Sequence, residues 1–119
     1  MEKEILNLSE SLRKSILFTQ VYTKGKSYAN KYLVMYVLPN SVDNNRIGIS
    51  VSKKVGNSVV RHRVTRLIRE SYRLNEKFFD TSFDIVIVAR VGAKGRTFDE
   101  IESALMHVGK LHNIVKEMT

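Results

Sequence analysis

The sequence of 119 residues contains no cysteine, no tryptophan, a single proline and only 12 Asp+Glu. Without cysteine there is no disulfide framework, no thiolate metal site and no cysteine nucleophile, and nothing requires an oxidising compartment. Apolar residues make up 43% of the chain. They never run to the roughly 18 consecutive positions of a membrane span, and the N-terminal MEKEILNLSES carries acidic residues where a signal peptide would have a basic region and an apolar stretch. No Pro/Gly/Ser-rich linker, low-complexity tract or internal repeat divides the sequence. These absences leave a soluble, cytoplasmic chain with one domain over 1–119. It is long enough to bury roughly two thirds of the surface that its unfolded form exposes.

What is abundant is positive charge. Twenty Lys+Arg give a formal net charge of +8, and such a surface attracts phosphate over a screening length of roughly 8 to 10 Å. Nucleic acid is the first class of partner and an anionic membrane the second.

The pattern of apolar residues gives an α/β domain, of the α+β two-layer kind. Ser15 is placed to cap a short helix from Ile16 to about Thr23, closed by Gly25, with Leu17 and Val21 in one row and Phe18 and Tyr22 in the next. Residues 31–38 alternate as a strand, with Leu33, Met35 and Val37 on one face and Tyr32, Val34, Tyr36 and Leu38 on the other. A hairpin loop, PNSVDNN, leads to a second strand, 46–52, with Ile47, Ile49 and Val51 opposite Gly48, Ser50 and Ser52. A helix from about Ser58 to Leu74 follows, and then a strand, Phe83 to Arg90, apolar enough on both faces to be central. The capping box Thr97-x-x-Glu100 starts a last helix carrying Ile101, Leu105, Val108, Leu111 and Val115. The order is α-β-β-α-β-α, with a further short strand near residues 26–30.

The charge is concentrated. Lys53, Lys54, Arg61, Arg63, Arg66, Arg69 and Arg73 stand against Glu70 alone, which accounts for six of the eight net charges. On a helical wheel Val60, Val64, Leu67, Ile68, Ser71 and Leu74 fall within about 120°, the width of a core-facing stripe. His62, Arg66, Arg69 and Arg73 lie roughly opposite, with Arg61 and Arg63 on the flanks. A solvated surface helix mixes signs, whereas cations in one row repel by a few tenths of a kcal/mol per pair. Cations around a helix N-terminus also oppose its dipole unless an anion sits there. Arginine forks two donors onto one phosphate, which suits a nucleic-acid backbone. The apolar residues of this helix are those the core needs, which disfavours insertion into a bilayer. The helix also lacks the Asn or Gln that a reader of the DNA major groove would present.

A second surface has two open arrangements. The Phe18/Tyr22 row and the Tyr32/Tyr36 face form either an aromatic trough for a single strand, with Gly48, Ser50 and Ser52 in its floor and Lys53 and Arg90 at its margin, or a strand face packed beneath a helix. Catalytic chemistry has no visible carrier. His107 and His112 are five apart and diverge on a helix, and VGAKGR (91–96) lacks the spacing of a phosphate loop. Asp84, Asp99, Glu100 and Glu102 form no acid/base or two-metal set. No catalytic residue and no metal ligand is assigned.

The segment SVSKKVGNSVVRHRVTRLIRESYR resembles the signature of the bacterial ribonuclease P protein component family. The likeness extends from LFTQVYTKGKSYANKYLVMYVL through RIGISVSKKVGN to FDIVIVAR. The family's Arg-Asn-Arg core stands here as Arg61-His62-Arg63, and Thr65 replaces a usual basic residue. The resemblance implies a left-handed βαβ crossover, against the right-handed rule. It implies that Lys53, Lys54, Asn57, Arg61, His62, Arg63, Arg66, Arg69 and Arg73 dock on a catalytic RNA. It also implies that Phe18, Tyr22, Tyr32, Tyr36, Ser50, Ser52 and Arg90 hold the single-stranded 5′ leader of precursor tRNA. In this family the RNA hydrolyses the phosphodiester with Mg²⁺ held mostly by RNA. The implied partners are thus ribonuclease P RNA and precursor tRNA, with no membrane and no stable protein partner. The alternative is a general RNA-binding or ribosomal protein with no dedicated enzyme partner.

Overall fold

The structure is a computed structural model. It describes residues 2–5, 10–11 and 15–116, with side chains from residue 17 onward.

Six strands form one mixed sheet: β1 (Glu2–Ile5), β2 (Glu10–Ser11), β3 (Lys26–Ala29), β4 (Leu33–Pro39), β5 (Arg46–Val51) and β6 (Phe83–Ala89). Their order is β1-β5-β6-β4-β3, with β2 also paired to β5. The three helices are α1 (Ser15–Lys24), α2 (Ser58–Asn75) and α3 (Phe98–Leu111). Every helix and strand read from the sequence is present, the short strand near 26–30 included, but PNSVDNN is not a hairpin loop: β6 inserts between β4 and β5, which do not pair with each other. The two N-terminal strands along the outer edge of β5 have no counterpart in that reading, because nothing in their local pattern alternates.

Alternation decides which side of the sheet each helix covers. Leu33, Met35 and Val37 of β4, Ile47, Ile49 and Val51 of β5, and Ile85, Ile87 and Ala89 of β6 form one core with Val64, Ile68 and Tyr72 of α2 and Ile101, Leu105 and Val108 of α3. On the other face α1 buries Phe18 and Val21 against Val86, with Leu17, Tyr22, Tyr36, Leu38 and Val88 around them. β6 is therefore covered on both sides, which is why its sequence is apolar on both.

β5 and β6 are parallel neighbours joined through α2. Asp84 fixes their start. It is 4% exposed and accepts from Arg46 Nε at 2.7 Å and Nη2 at 2.8 Å, and from Asn40 Nδ2 at 2.9 Å. A buried carboxylate is tolerable when its oxygens are filled in this way.

Two helical stripes differ from their wheels. In α2 the buried residues are Val64, Thr65, Ile68, Ser71, Tyr72 and Asn75, while Leu74, expected in the core, is 47% exposed. The stripe is turned toward Tyr72, whose ring packs 5.1 Å from Phe79. A wheel scored on aliphatic residues places Leu74 inside because it leaves Tyr72 out. α3 begins at the expected capping box, with both reciprocal bonds between Thr97 and Glu100 made. It ends sooner than its apolar spacing suggests, because Asn113 adopts φ 60° and turns the chain out of the helix. Leu111 is consequently 42% exposed, and Val115 lies beyond the helix, bridged to Phe79.

Candidate nucleic-acid interface

The first candidate surface is the outer side of α2. Asn57 caps the helix, its side-chain oxygen accepting from the Val60 N–H at 3.0 Å, so this expected RNA contact already carries a structural bond. His62, Arg63, Arg66 and Arg73 are exposed, and Arg61 and Arg69 are half-buried. Lys53 and Lys54 are exposed in the turn that leaves β5, where the Lys54 N–H donates to the Ser52 hydroxyl at 3.3 Å. Thr65 faces inward at 6% exposure and donates its hydroxyl proton to the Arg61 carbonyl at 2.9 Å.

Not every cation on the ridge is equally available. Arg73 pairs with Glu70, and its hydrogen bond holds the Glu70 carboxyl below the usual range while raising the guanidinium above its own. Arg63 Nη2 donates to the Arg96 carbonyl at 3.1 Å, which ties the start of α2 to the loop after β6. Arg66 has neither tie, and the ridge as a whole has one carboxylate against its cations. Its chemistry is that of a binder of phosphate chains.

The second surface lies on the α1 side of the sheet, and register defines it. Tyr36 is paired with Val86, and Val86 with Gly48; the next row is Val34, Val88 and Ser50. α1 covers the first row. A Cβ added to Gly48 would sit 2.4 Å from the Phe18 ring, so the space left by the missing side chain is filled by Phe18 itself and not left open to a second backbone. Phe18 is 2% exposed and is therefore a packed support, not a face on which a base stacks. Tyr22 and Tyr36 are half-buried and meet edge to face at 5.0 Å, with Phe18 and Tyr22 6.4 Å apart. Burial raises the Tyr22 phenol pKa, the Ser50 hydroxyl opposes the rise, and the Tyr36 phenol adds to it.

Beyond the tyrosines the floor continues as half-buried Val34 and Val88, buried Ser50 and half-buried Ser52. Arg90 stands at its end, exposed, with Nη1 donating to the Asn30 carbonyl at 2.8 Å. Tyr32 is not part of this group. It packs against the opposite core, and the Arg96 guanidinium lies 5.5 Å from its ring centre. The chain turns there because the Asn30 side-chain oxygen accepts from the N–H groups of both Tyr32 and Leu33, so strand alternation does not extend back to Tyr32.

Asn30 is a residue that sequence reasoning missed. Its amide nitrogen also donates to the Ala104 carbonyl at 2.9 Å and faces His107 Nδ1 at 3.2 Å, joining α3 to the turn that holds Arg90. No local pattern signals this, since the partners lie more than seventy positions away. His112 meets a different group, with Nε2 donating to the Met35 carbonyl at 2.7 Å. Among the described residues no three His, Asp or Glu gather as a metal site, and no helix is long and apolar enough to cross a membrane.

Comparisons with known proteins agree with one another. The family model described as Ribonuclease P matches residues 6–112. A ribonuclease P protein component from Lachnoclostridium phytofermentans is 65% identical over 108 residues, covering 91% of this chain and 93% of that protein. One from Clostridioides difficile is 48% identical over 109 residues, with 91% and 96% covered. Among solved structures, the Staphylococcus aureus RNase P protein superposes with a TM-score of 0.81 at 37% identity, over 89% of this chain and 97% of that one. The Thermotoga maritima RNase P protein does so with a TM-score of 0.77 at 29% identity, over 85% and 96%.

Proposed function

The chain belongs to the bacterial ribonuclease P protein family, the protein component of the tRNA-processing ribonuclease P, and from that premise we propose how its two surfaces divide the work. The α2 ridge docks on the catalytic RNA through Arg61, Arg63, Arg66 and Arg69, with Lys53 and Lys54 extending the contact. The trough holds the 5′ leader of precursor tRNA, with Tyr22 and Tyr36 offering ring surface, Val34, Val88 and Ser52 the floor, and Arg90 a phosphate contact at its end. Phe18 acts beneath them as a support. The setting is the cytoplasm, where precursor tRNA is made.

The observation that carries this reading is the turn 52–57. β5 ends in the trough, and the same turn delivers Lys53, Lys54 and the cap of α2. One RNA on the ridge and a second strand in the trough therefore meet at a shared cationic corner. Arginine forks suit the phosphates of a folded RNA, while half-buried rings beside an apolar floor suit unpaired bases.

In this division the protein transfers no proton and holds no reacting atom. Mg²⁺ supplies activation of water and charge stabilisation when bound by the RNA. The protein's residues contribute by holding the leader in register and by offsetting repulsion between two polyanions. The test is reconstitution: the purified chain added to ribonuclease P RNA at low Mg²⁺ is expected to restore 5′ processing, and the chain alone to leave precursor tRNA intact. Cleavage by RNA-free protein, or no stimulation of the RNA, overturns the reading. Equal affinity for tRNA with and without a leader would favour a general RNA-binding protein instead.

A further inference from the structure

The side of α2 that turns toward α3 carries more than charge. Between the two helices runs a groove of about 590 Å³ whose cations are Arg63, Arg66 and Arg69 and whose apolar lining is Val59, Leu67 and Phe98. Val59 is 76% exposed. Phe98 is half-buried and belongs to neither buried cluster of the domain. His62 and Glu70 complete the lining, and Glu70 is engaged by Arg73.

A ridge that met only phosphates would have no use for this apolar surface. Phosphate oxygens gain nothing from Val59 or Phe98 and lose water beside them. Duplex RNA would touch only the arginines, because paired bases keep their faces inside the stack. An unpaired base has an exposed π-face and an adjoining phosphate on each side, and this groove offers a counterpart to both. Its walls are also held in place. The capping box at Thr97 and Glu100 fixes the first turn of α3, where Phe98 sits, and the bond from Arg63 to the Arg96 carbonyl fixes the rim opposite.

We propose that the groove between α2 and α3 seats one unpaired, splayed-out nucleotide of the RNA bound by the ridge, with its base against Phe98 and Val59 and its flanking phosphates on Arg63 and Arg66. The inference rests on the reading of α2 as an RNA-docking ridge and deepens it: the ridge then selects a local RNA shape as well as attracting charge.

Salt dependence separates the two contributions, since stacking releases no counterions and a phosphate contact does. The experiment measures affinity for ribonuclease P RNA, without tRNA, across a salt series for the unaltered chain and for Phe98→Ala, Phe98→Tyr, Val59→Ser and Arg66→Ala. Phe98→Ala is expected to bind about fivefold or more weakly at every salt concentration, with an unchanged log-log slope, and Phe98→Tyr to restore binding. Val59→Ser, at a site too exposed to unfold the domain, is expected to weaken binding by about twofold, also without change of slope. Arg66→Ala should instead lower the slope by about one. Unaltered binding by both Phe98→Ala and Val59→Ser, or a loss that changes the slope, overturns the nucleotide seat. A flat slope for the unaltered chain would sink the ridge itself, so the two failures are distinct.

Discussion

The ridge and the trough are built in opposite ways. The ridge comes from one continuous segment of sequence, Lys53, Lys54, Arg63, Arg66 and Arg73 on it are exposed, and none of its cations belongs to either buried cluster. The trough is assembled from α1, β4, β5 and β6, and its residues bind and support at once: Phe18 fills the space over Gly48, and Tyr22 packs on Tyr36. Electrostatic surfaces are thus separable from folding, and aromatic ones on a thin domain are not. A substitution at exposed Arg66 should change binding alone, whereas one beneath the trough should change stability first.

The largest effect concerns the ridge. If about five to seven cations touch phosphates, raising salt fourfold should weaken RNA binding roughly a thousandfold, with a log-log slope of several units. A slope near zero in a filter-binding or anisotropy series would remove the distinction. Next is Phe18→Ala, which empties a buried ring site and should cost about 3–5 kcal/mol of stability, read as a large drop in Tm. Its losses toward RNA and toward precursor should track unfolding. A Phe18→Ala chain that melts normally and loses only leader recognition would break the comparison.

Smaller is Tyr36→Ala, expected to weaken leader-bearing precursor about fivefold relative to mature tRNA, on the order of 1 kcal/mol for one stacked base. An equal loss for both substrates would reject the trough's role. The smallest effect lies outside both surfaces. Burial lowers the His112 pKa, with Lys26 adding to the shift and the Met35 carbonyl opposing it. Below its ordinary pKa of about 6.5 the unfolded chain therefore takes up a proton that the folded chain resists. His112 should cost stability as pH falls from about 7 toward 5, and should add no further loss below its own folded pKa. A His112→Gln chain should show a shallower decline in Tm over that range, and an identical decline would contradict this.

The same contrast explains what the sequence made legible. α2 and the start of α3 follow from local rules: an i,i+3/i+4 stripe and a Thr-x-x-Glu box. The alternation of Leu33, Met35 and Val37 correctly separated the two faces of the sheet. The errors fell where one asparagine or one distant contact overrides the apolar pattern. Tyr32 leaves the trough because Asn30 captures two successive backbone amides. Phe18 sinks out of reach because a glycine thirty positions later leaves room for its ring. Val115 leaves α3 because Asn113 takes a left-handed backbone conformation. The ridge needed a wheel and a count of charges, and the trough needed the sheet register.

The absence of cysteine permits a direct test of the division between the surfaces. Single Arg66→Cys and Tyr36→Cys chains, each labelled with a thiol-attached photocrosslinker, can be assembled with ribonuclease P RNA and leader-bearing precursor tRNA. The account expects position 66 to crosslink to the catalytic RNA and position 36 to the 5′ leader. Position 66 marking only the precursor, or position 36 marking the catalytic RNA and not the leader, would contradict it.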